Sequence, residues 1–253
     1  MIDRYTPSPG SAPFARQVLA QTSMEARLML RNGEQILLAV VIPMLVLVAA
    51  VLGAERFGIR FAGRPVDVFT PGVLALSVLS SAFTSLAVAT GFERRYGVIK
   101  RLGASPLSRT GLLLGKAGSV ILIELLQFLL VGGVGLALGW RPHWHPGALV
   151  LLVLGTVAFS GLGLLMAGTL RAEATLALAN LVFLLLMAAG GVVLPTSSYG
   201  VLGKAAALLP SGALGDGLRQ AFGEGTFSVH AAVVLLVWAV VAAALTARTF
   251  KWD

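Results

Sequence analysis

Six uninterrupted apolar stretches run through this chain, at roughly 35–53, 68–91, 111–139, 147–170, 176–194 and 229–247. Each is long enough to cross about 30 Å of hydrocarbon as a helix, which takes about 20 residues. Inside a bilayer the backbone must satisfy its own polar groups, so only helices or a closed barrel can cross it. Barrel strands alternate apolar and polar residues. These runs do not alternate, so the expected fold is an all-α membrane protein with six transmembrane helices. Composition agrees. Residues AVILMFWYC make up 57% of the 253, and charged residues only 12%, about half the roughly 25% of soluble domains. Such a chain could not cover its apolar surface with charge.

The net charge is +8. Nucleic-acid binding would need a basic folded face, and no segment outside the spans is long enough to build one. Positive-inside bias explains the charge instead. With the N-terminus inside, Arg4, Arg16, Arg27, Arg31, Arg94, Arg95, Lys100, Arg101, Arg109, Lys116, Arg171, Arg248 and Lys251 are internal. Only Arg56, Arg60, Arg64, Arg141, Lys204 and Arg219 are external. Both termini are therefore expected in the cytoplasm. Arg outnumbers Lys 15 to 4, which with the many Ala and Gly points to a GC-rich bacterial source and a plasma-membrane location. There is no cysteine, which excludes disulfides, zinc-thiolate sites and iron–sulfur clusters. No cleavable signal peptide is expected, since the first strongly apolar run begins near Ile36. Residues 1–13, rich in Pro and Ser, read as a disordered tail; 14–34 as an interfacial helix; 35–253 as the transmembrane domain.

Three segments outside the spans carry further signals. Over 14–31 a helical period places Ala15, Val18, Leu19, Thr22, Ala26, Met29 and Leu30 on one face. Arg16, Ser23, Arg27 and Arg31 lie opposite. This suits the inner membrane surface, with arginines meeting anionic headgroups, and equally suits packing on the protein's own inner side. The loop 92–109 holds five basic residues and one acid. Glu93 is placed to favour a helix N-terminus, and Pro106 stops any helix. Anchoring accounts for the charges alone. Docking into a groove of a soluble partner accounts also for the interleaved Tyr96, Val98, Ile99 and Leu102. The third segment, 195–228, is half apolar but broken by Pro195, Gly203, Pro210, Gly212, Gly215 and Gly217. It reads as two short helices parted at Pro210, dipping into the outer leaflet or lying over the exit, with Ser211 as N-cap of the second.

Within the spans, Glu124 is a costly carboxylate that should face the bundle or a cavity, and Gln127 shares its face. The pair reads either as part of a substrate pathway or as hydrogen-bonding between helices. Asn180 is expected to join helices, Pro43 to kink the first span, and Gly132, Gly133, Gly135, Gly161, Gly163, Gly190 and Gly191 to allow close helix contacts. No catalytic site is expected. Ser160 and His230 lie at different depths, so a serine-protease arrangement fails on geometry. His143 and His145 lack further ligands for a metal; Trp140 and Trp144 beside them read as interfacial anchors.

The loop Glu93-Arg-Arg-Tyr-Gly97, continued by Lys100-Arg-Leu-Gly-Ala-Ser-Pro106-Leu-Ser-Arg109 and Gly115-Lys116, resembles the ABC-2 family of transporter permeases, in particular the drug-resistance branch typified by the daunorubicin exporter permease. Leu194-Pro195 through Pro210-Ser211-Gly212-Ala-Leu214 to Leu218-Arg219 is similar to that family's external re-entrant hairpin. Arg31-Asn-Gly-Glu-Gln35, leading to Ile42-Pro43, fits it too. Val98 departs from the pattern, standing where many relatives carry Thr. The resemblance implies that Glu93, Arg94, Arg95, Tyr96, Gly97, Lys100, Arg101, Leu102 and Pro106 form a coupling helix that seats in an ATPase. It implies two permease copies, identical or related, with two cytosolic ATPase subunits, and outward transport of a hydrophobic drug, lipid or polyketide-like substrate. Gly111-Leu-Leu-Leu-Gly115-Lys116-Ala117 misses the spacing and hydroxyl of a Walker A loop. ATP and magnesium are therefore expected in the partner, and no cofactor in this chain. A secondary carrier or a membrane scaffold without an ATPase partner is the competing expectation; no internal repeat supports the inverted-repeat kind of carrier.

Overall fold

The computed structural model describes residues 11–58, 61 and 63–249. The tail residues 1–10, with Arg4, lie outside the described residues, as do Arg60 and Lys251. The described residues form helices and connecting turns, with no strand among them. A lead helix, Phe14–Arg31, is followed by six helices long and apolar enough to cross a membrane. These spans are Ala39–Arg56, Pro65–Arg95, Arg109–Ala137, Gly147–Thr169, Ala172–Ala189 and Val229–Thr249. This is a multi-pass membrane protein.

Local sequence sets the boundaries. The Asn32 side chain accepts from Gln35 N at 3.3 Å, starting a new helix after the lead helix ends. That helix passes through a π-helical turn, Leu37–Val41, just before Pro43. Pro43 has no N–H to donate, and π-turns are a usual site of bending. Pro65 opens the second span, with Asp67 in its first turn paired to Arg64 at 2.8 Å. Ser108 caps the third span, its Oγ accepting from Gly111 N at 3.0 Å. Charge suits an N-terminal Asp and Ser is a favoured cap.

The second span is the centre of the bundle. Its most apolar window is 89% buried, against 22–39% for the other five. It packs against the first, third, fourth and fifth spans. Its sequence explains the position. Small and hydroxyl residues such as Ala75, Ser77, Ser81, Ala82 and Ala87 let neighbouring helices approach closely. Ser77 and Ser81 donate to the carbonyls of Val73 and Ser77 at 3.0 and 2.9 Å, and a π-helical stretch, Leu79–Ser85, follows. Gly163 of the fourth span faces it so closely that a Cβ would stand 2.8 Å from the Phe83 carbonyl. Gly135, Gly161, Gly190 and Gly191 likewise sit against neighbours, whereas Gly132 and Gly133 face open space. The latter two therefore make none of the close helix contacts expected of them within this chain.

The lead helix runs along the third span in the same direction. Phe14 lies by Gly111, and Gln21 and Thr22 by Gly115 and Gly118. Its packed face shares Thr22, Ala26 and Met29 with the expected one but is turned from it. Gln21, Thr22, Glu25, Ala26 and Met29 are buried, while Ala15, Leu19 and Leu30 are exposed. The apolar period alone could not find this face, because Gln21 and Glu25 are buried with polar partners.

Candidate functional site

Two polar centres lie at opposite ends of the bundle. The basic end carries the lead helix and the loop after the second span. The hairpin end carries the segment between the fifth and sixth spans.

At the basic end, Lys116 is 3% exposed. Its ammonium lies 2.9 Å from Glu25 Oε1 and 2.6 Å from Glu93 Oε2. Gln21 adds a hydrogen bond to Glu25 at 2.8 Å. One cation therefore joins the lead helix, the third span and the end of the second span. A buried ion survives only when paired and hydrogen-bonded, so each group is needed by the other two. Glu93 thus does not open the loop helix, as its position suggested. It belongs to the last turns of the second span, which runs on to Arg95.

The loop helix itself is Val98–Gly103. Gly97 precedes it with φ +67°, a left-handed conformation that costs glycine little. It ends before Pro106 is reached. Ser105 N and Oγ both donate to the Leu102 carbonyl, at 3.0 and 2.6 Å, and the turn is closed without proline. Tyr96, Lys100, Arg101 and Pro106 are exposed, and Leu102 is half-buried. Three residues of the expected docking ridge face elsewhere. Ile99 is buried. Arg94 donates to the carbonyls of Ala167 and, at 3.4 Å, Leu170, where the fourth span ends. Arg95 pairs with Glu173 at the start of the fifth span. Cations at a helix C-terminus satisfy its free carbonyls, so Arg94 serves the bundle itself. The exposed cations left on the loop helix are Lys100 and Arg101.

At the hairpin end the fifth span stops at Ala189 and the chain continues without regular helix through residues 190–194. Gly191 takes φ +75° there. The carbonyls released by this break would be unsatisfied. Arg219 meets them: it donates to Gly191 at 3.0 Å, to Val192, to Val193 at 2.9 Å, and to Val68 of the second span at 3.1 Å. Asp216 holds the guanidinium at 3.0 Å and also accepts from the Thr196 backbone and hydroxyl. Burial lowers the Arg219 pKa and Asp216 opposes that shift. Arginine stays charged nonetheless.

The hairpin has a 3-10 segment, Thr196–Leu202, a helical turn, Gly203–Ala207, and a helix, Pro210–Arg219. Ser211 is not its N-cap. Leu209 holds that position, and the Ser211 hydroxyl donates to the Gly190 carbonyl at 2.8 Å. The last helix is inserted among the second, fourth and sixth spans. Trp238 Nε1 donates to the Leu208 carbonyl at 2.9 Å. Trp238 is nine residues into the sixth span, so Leu208 sits about 14 Å along that span from its start. The hairpin therefore dips to mid-span depth. Trp140 is buried edge-on against Phe222 at 5.4 Å, so only Trp144 is exposed as an interfacial anchor would be.

Between the two ends, Glu124 is enclosed. Thr156 of the fourth span donates to it at 2.7 Å, and Ser81 of the second lies at 3.5 Å. Gln127 shares its face but serves another helix, donating to the Ala39 carbonyl of the first span. Asn180 is half-buried on the fifth span and joins neither residue. Ser160 Oγ is buried without a hydrogen-bond partner, and His230 is exposed near the start of the sixth span. No group of three potential metal ligands occurs among the described residues.

Sequence reasoning missed Glu25 and the partnership of Lys116 with Glu93. The signal available was an acid in the last turn of the second span and a lysine two turns into the third. It also missed the central role of the second span, for which the run of Ser and Thr was the clue.

The family model for ABC-2 type transporters matches residues 16–222. No curated protein matches the chain. The matched region starts within the lead helix and ends beyond the hairpin helix, so it takes in both polar centres. The chain belongs to the ABC-2 type transporter family, and is a membrane component of that class of ABC transporter.

Proposed function

We propose that this chain is the permease subunit of an ABC exporter, driven by a separate ATPase and oriented with its basic end in the cytoplasm. The family membership supports the class. The observation that carries the finer reading is that the Glu25–Lys116–Glu93 centre ties down the end of the second span, from which the loop helix with its exposed Lys100 and Arg101 continues. Force applied to the loop helix reaches the end of the second span through six helical residues and Gly97. That span touches four others. Packed bundles of this kind have discrete arrangements, and a push at one end can exchange one for another.

In this reading two copies, or this chain and a related one, pair with two ATPase subunits in a bacterial plasma membrane. Tyr96, Lys100, Arg101, Leu102 and Pro106 meet the ATPase; Glu93, Arg94, Arg95 and Gly97 hold that surface against the bundle. The cargo is a hydrophobic drug, lipid or polyketide-like molecule that moves outward along an apolar route. The hairpin, with Pro195, Pro210, Ser211, Gly212 and Arg219, lines its exit. Arg16, Arg27 and Arg31 face the inner membrane surface. Glu124 fastens the second, third and fourth spans, so Glu124→Gln is expected to keep wild-type transport; loss of transport in a folded variant would return it to the substrate route.

Mild-detergent purification from native membranes, with mass spectrometry of the associated proteins, tests the reading. A soluble chain with Walker motifs is expected in equal copy number. Its absence, under conditions that hold a known ABC complex together, would favour a carrier or scaffold.

A further inference from the structure

A groove of about 410 Å³ runs between the lead helix and the third span. Its walls are Leu19, Thr22, Ala26 and Leu30 of the lead helix and Leu122 of the third span. Leu19, Leu30 and Leu122 are 66, 43 and 47% exposed. Arg27 and Arg31 edge the same groove. Their i, i+4 spacing puts both guanidinium groups on one helix face. Neither forms an ion pair or side-chain hydrogen bond among the described residues.

The level of this groove follows from helix length. The third span has 29 residues, about 43 Å, while the hydrocarbon is about 30 Å thick. Counting about 20 residues back from Ala137 puts the hydrocarbon boundary near Gly118. Leu122 then lies about 6 Å inside it, and Lys116 just outside. Apolar walls therefore dip below the boundary. The lead helix runs the same way with Thr22 beside Gly118, so the Arg27 and Arg31 backbones lie past that level; helix side chains tilt toward the N-terminus, and long arginine side chains reach back to the boundary.

We propose that this groove holds one anionic phospholipid, its phosphate between Arg27 and Arg31 and an acyl chain along Leu30 and Leu122. Guanidinium groups match phosphate oxygens in a two-pronged geometry. Two adjacent cations favour a headgroup with net negative charge over one that brings its own ammonium. Bound there, the lipid touches the lead helix along the edge of its packed face, and so fixes that helix between membrane and bundle. The proposal needs the membrane-spanning fold but no ATPase partner.

Native mass spectrometry of the full chain, released from nanodiscs of equal phosphatidylglycerol and phosphatidylcholine, tests it. Wild type is expected to retain one phosphatidylglycerol. Arg27→Gln with Arg31→Gln should reduce retention at least tenfold, as should Leu122→Trp, which fills the groove without altering charge. Arg248→Gln, a basic residue at the end of the sixth span outside the groove, should retain the lipid as wild type does. Equal retention of phosphatidylcholine would overturn the proposal. So would an equal loss in Arg248→Gln, which would mean diffuse surface attraction. A change of oligomeric mass in Leu122→Trp with lipid retention intact would assign the groove to a second copy and overturn it too.

Discussion

The two polar centres use buried charge in opposite ways. At the basic end, Lys116 is held by side chains, Glu25 and Glu93, from two other segments. At the hairpin end, Arg219 is held mostly by backbone carbonyls of one broken helix. Side chains can exchange partners when segments shift. Carbonyls fixed in a loop cannot, and they need their donor in every state. The basic centre is therefore built as a joint and the hairpin centre as a repair. That difference fits the proposed function, in which motion starts at the basic end and the hairpin keeps its shape.

Substitutions break or sharpen this contrast. The largest effect is expected for Arg219→Leu, which strips several carbonyls of their donor at about 1–3 kcal/mol each. Thermal unfolding in detergent should show it as the least stable variant, with Arg219→Lys intermediate because an ammonium cannot fork across the same set. Lys116→Met comes next, at about 3–5 kcal/mol, because two carboxylates lose their shared cation. Adding Glu93→Gln and Glu25→Gln should recover part of that loss, as a joint of exchangeable side chains requires. If no recovery is seen, the basic centre is also a rigid repair and the contrast fails. Gly163→Ala should cost about 1–3 kcal/mol by crowding the Phe83 carbonyl, while Gly133→Ala, facing open space, should change unfolding by less than about 0.5 kcal/mol. Lys100→Glu with Arg101→Glu is the mildest for stability, again within about 0.5 kcal/mol, yet should abolish association with the ATPase.

The bundle was largely legible in the sequence, since the length and continuity of apolar runs report directly on hydrocarbon crossing. The lead helix falls on residues 14–31 as expected, bounded by Pro13 and Asn32. What periodicity could not supply was the partner of each buried face. Glu25 drew no notice in the sequence, because its partner Lys116 lies 91 residues later. Arg94 and Ile99 looked like docking residues because charge and apolarity alternate there. The carbonyls of Ala167 and Leu170 that claim Arg94 belong to a helix end no local pattern could place beside it. Ser211 looked like a cap because Pro-Ser-Gly often starts a helix. Pro210 itself took the first helical position, one residue earlier.

The chain has no cysteine, so single reporter positions can be introduced cleanly. The central claim is that the loop helix, at the basic end, meets a cytosolic ATPase. A cysteine-linked photocrosslinker at Lys100, compared in whole cells with the same probe at Val201 on the exposed hairpin segment, tests it most directly. The account predicts a crosslinked adduct to an ATP-binding chain from position 100 and none from 201. An adduct to such a chain from 201, or none from 100, would contradict it.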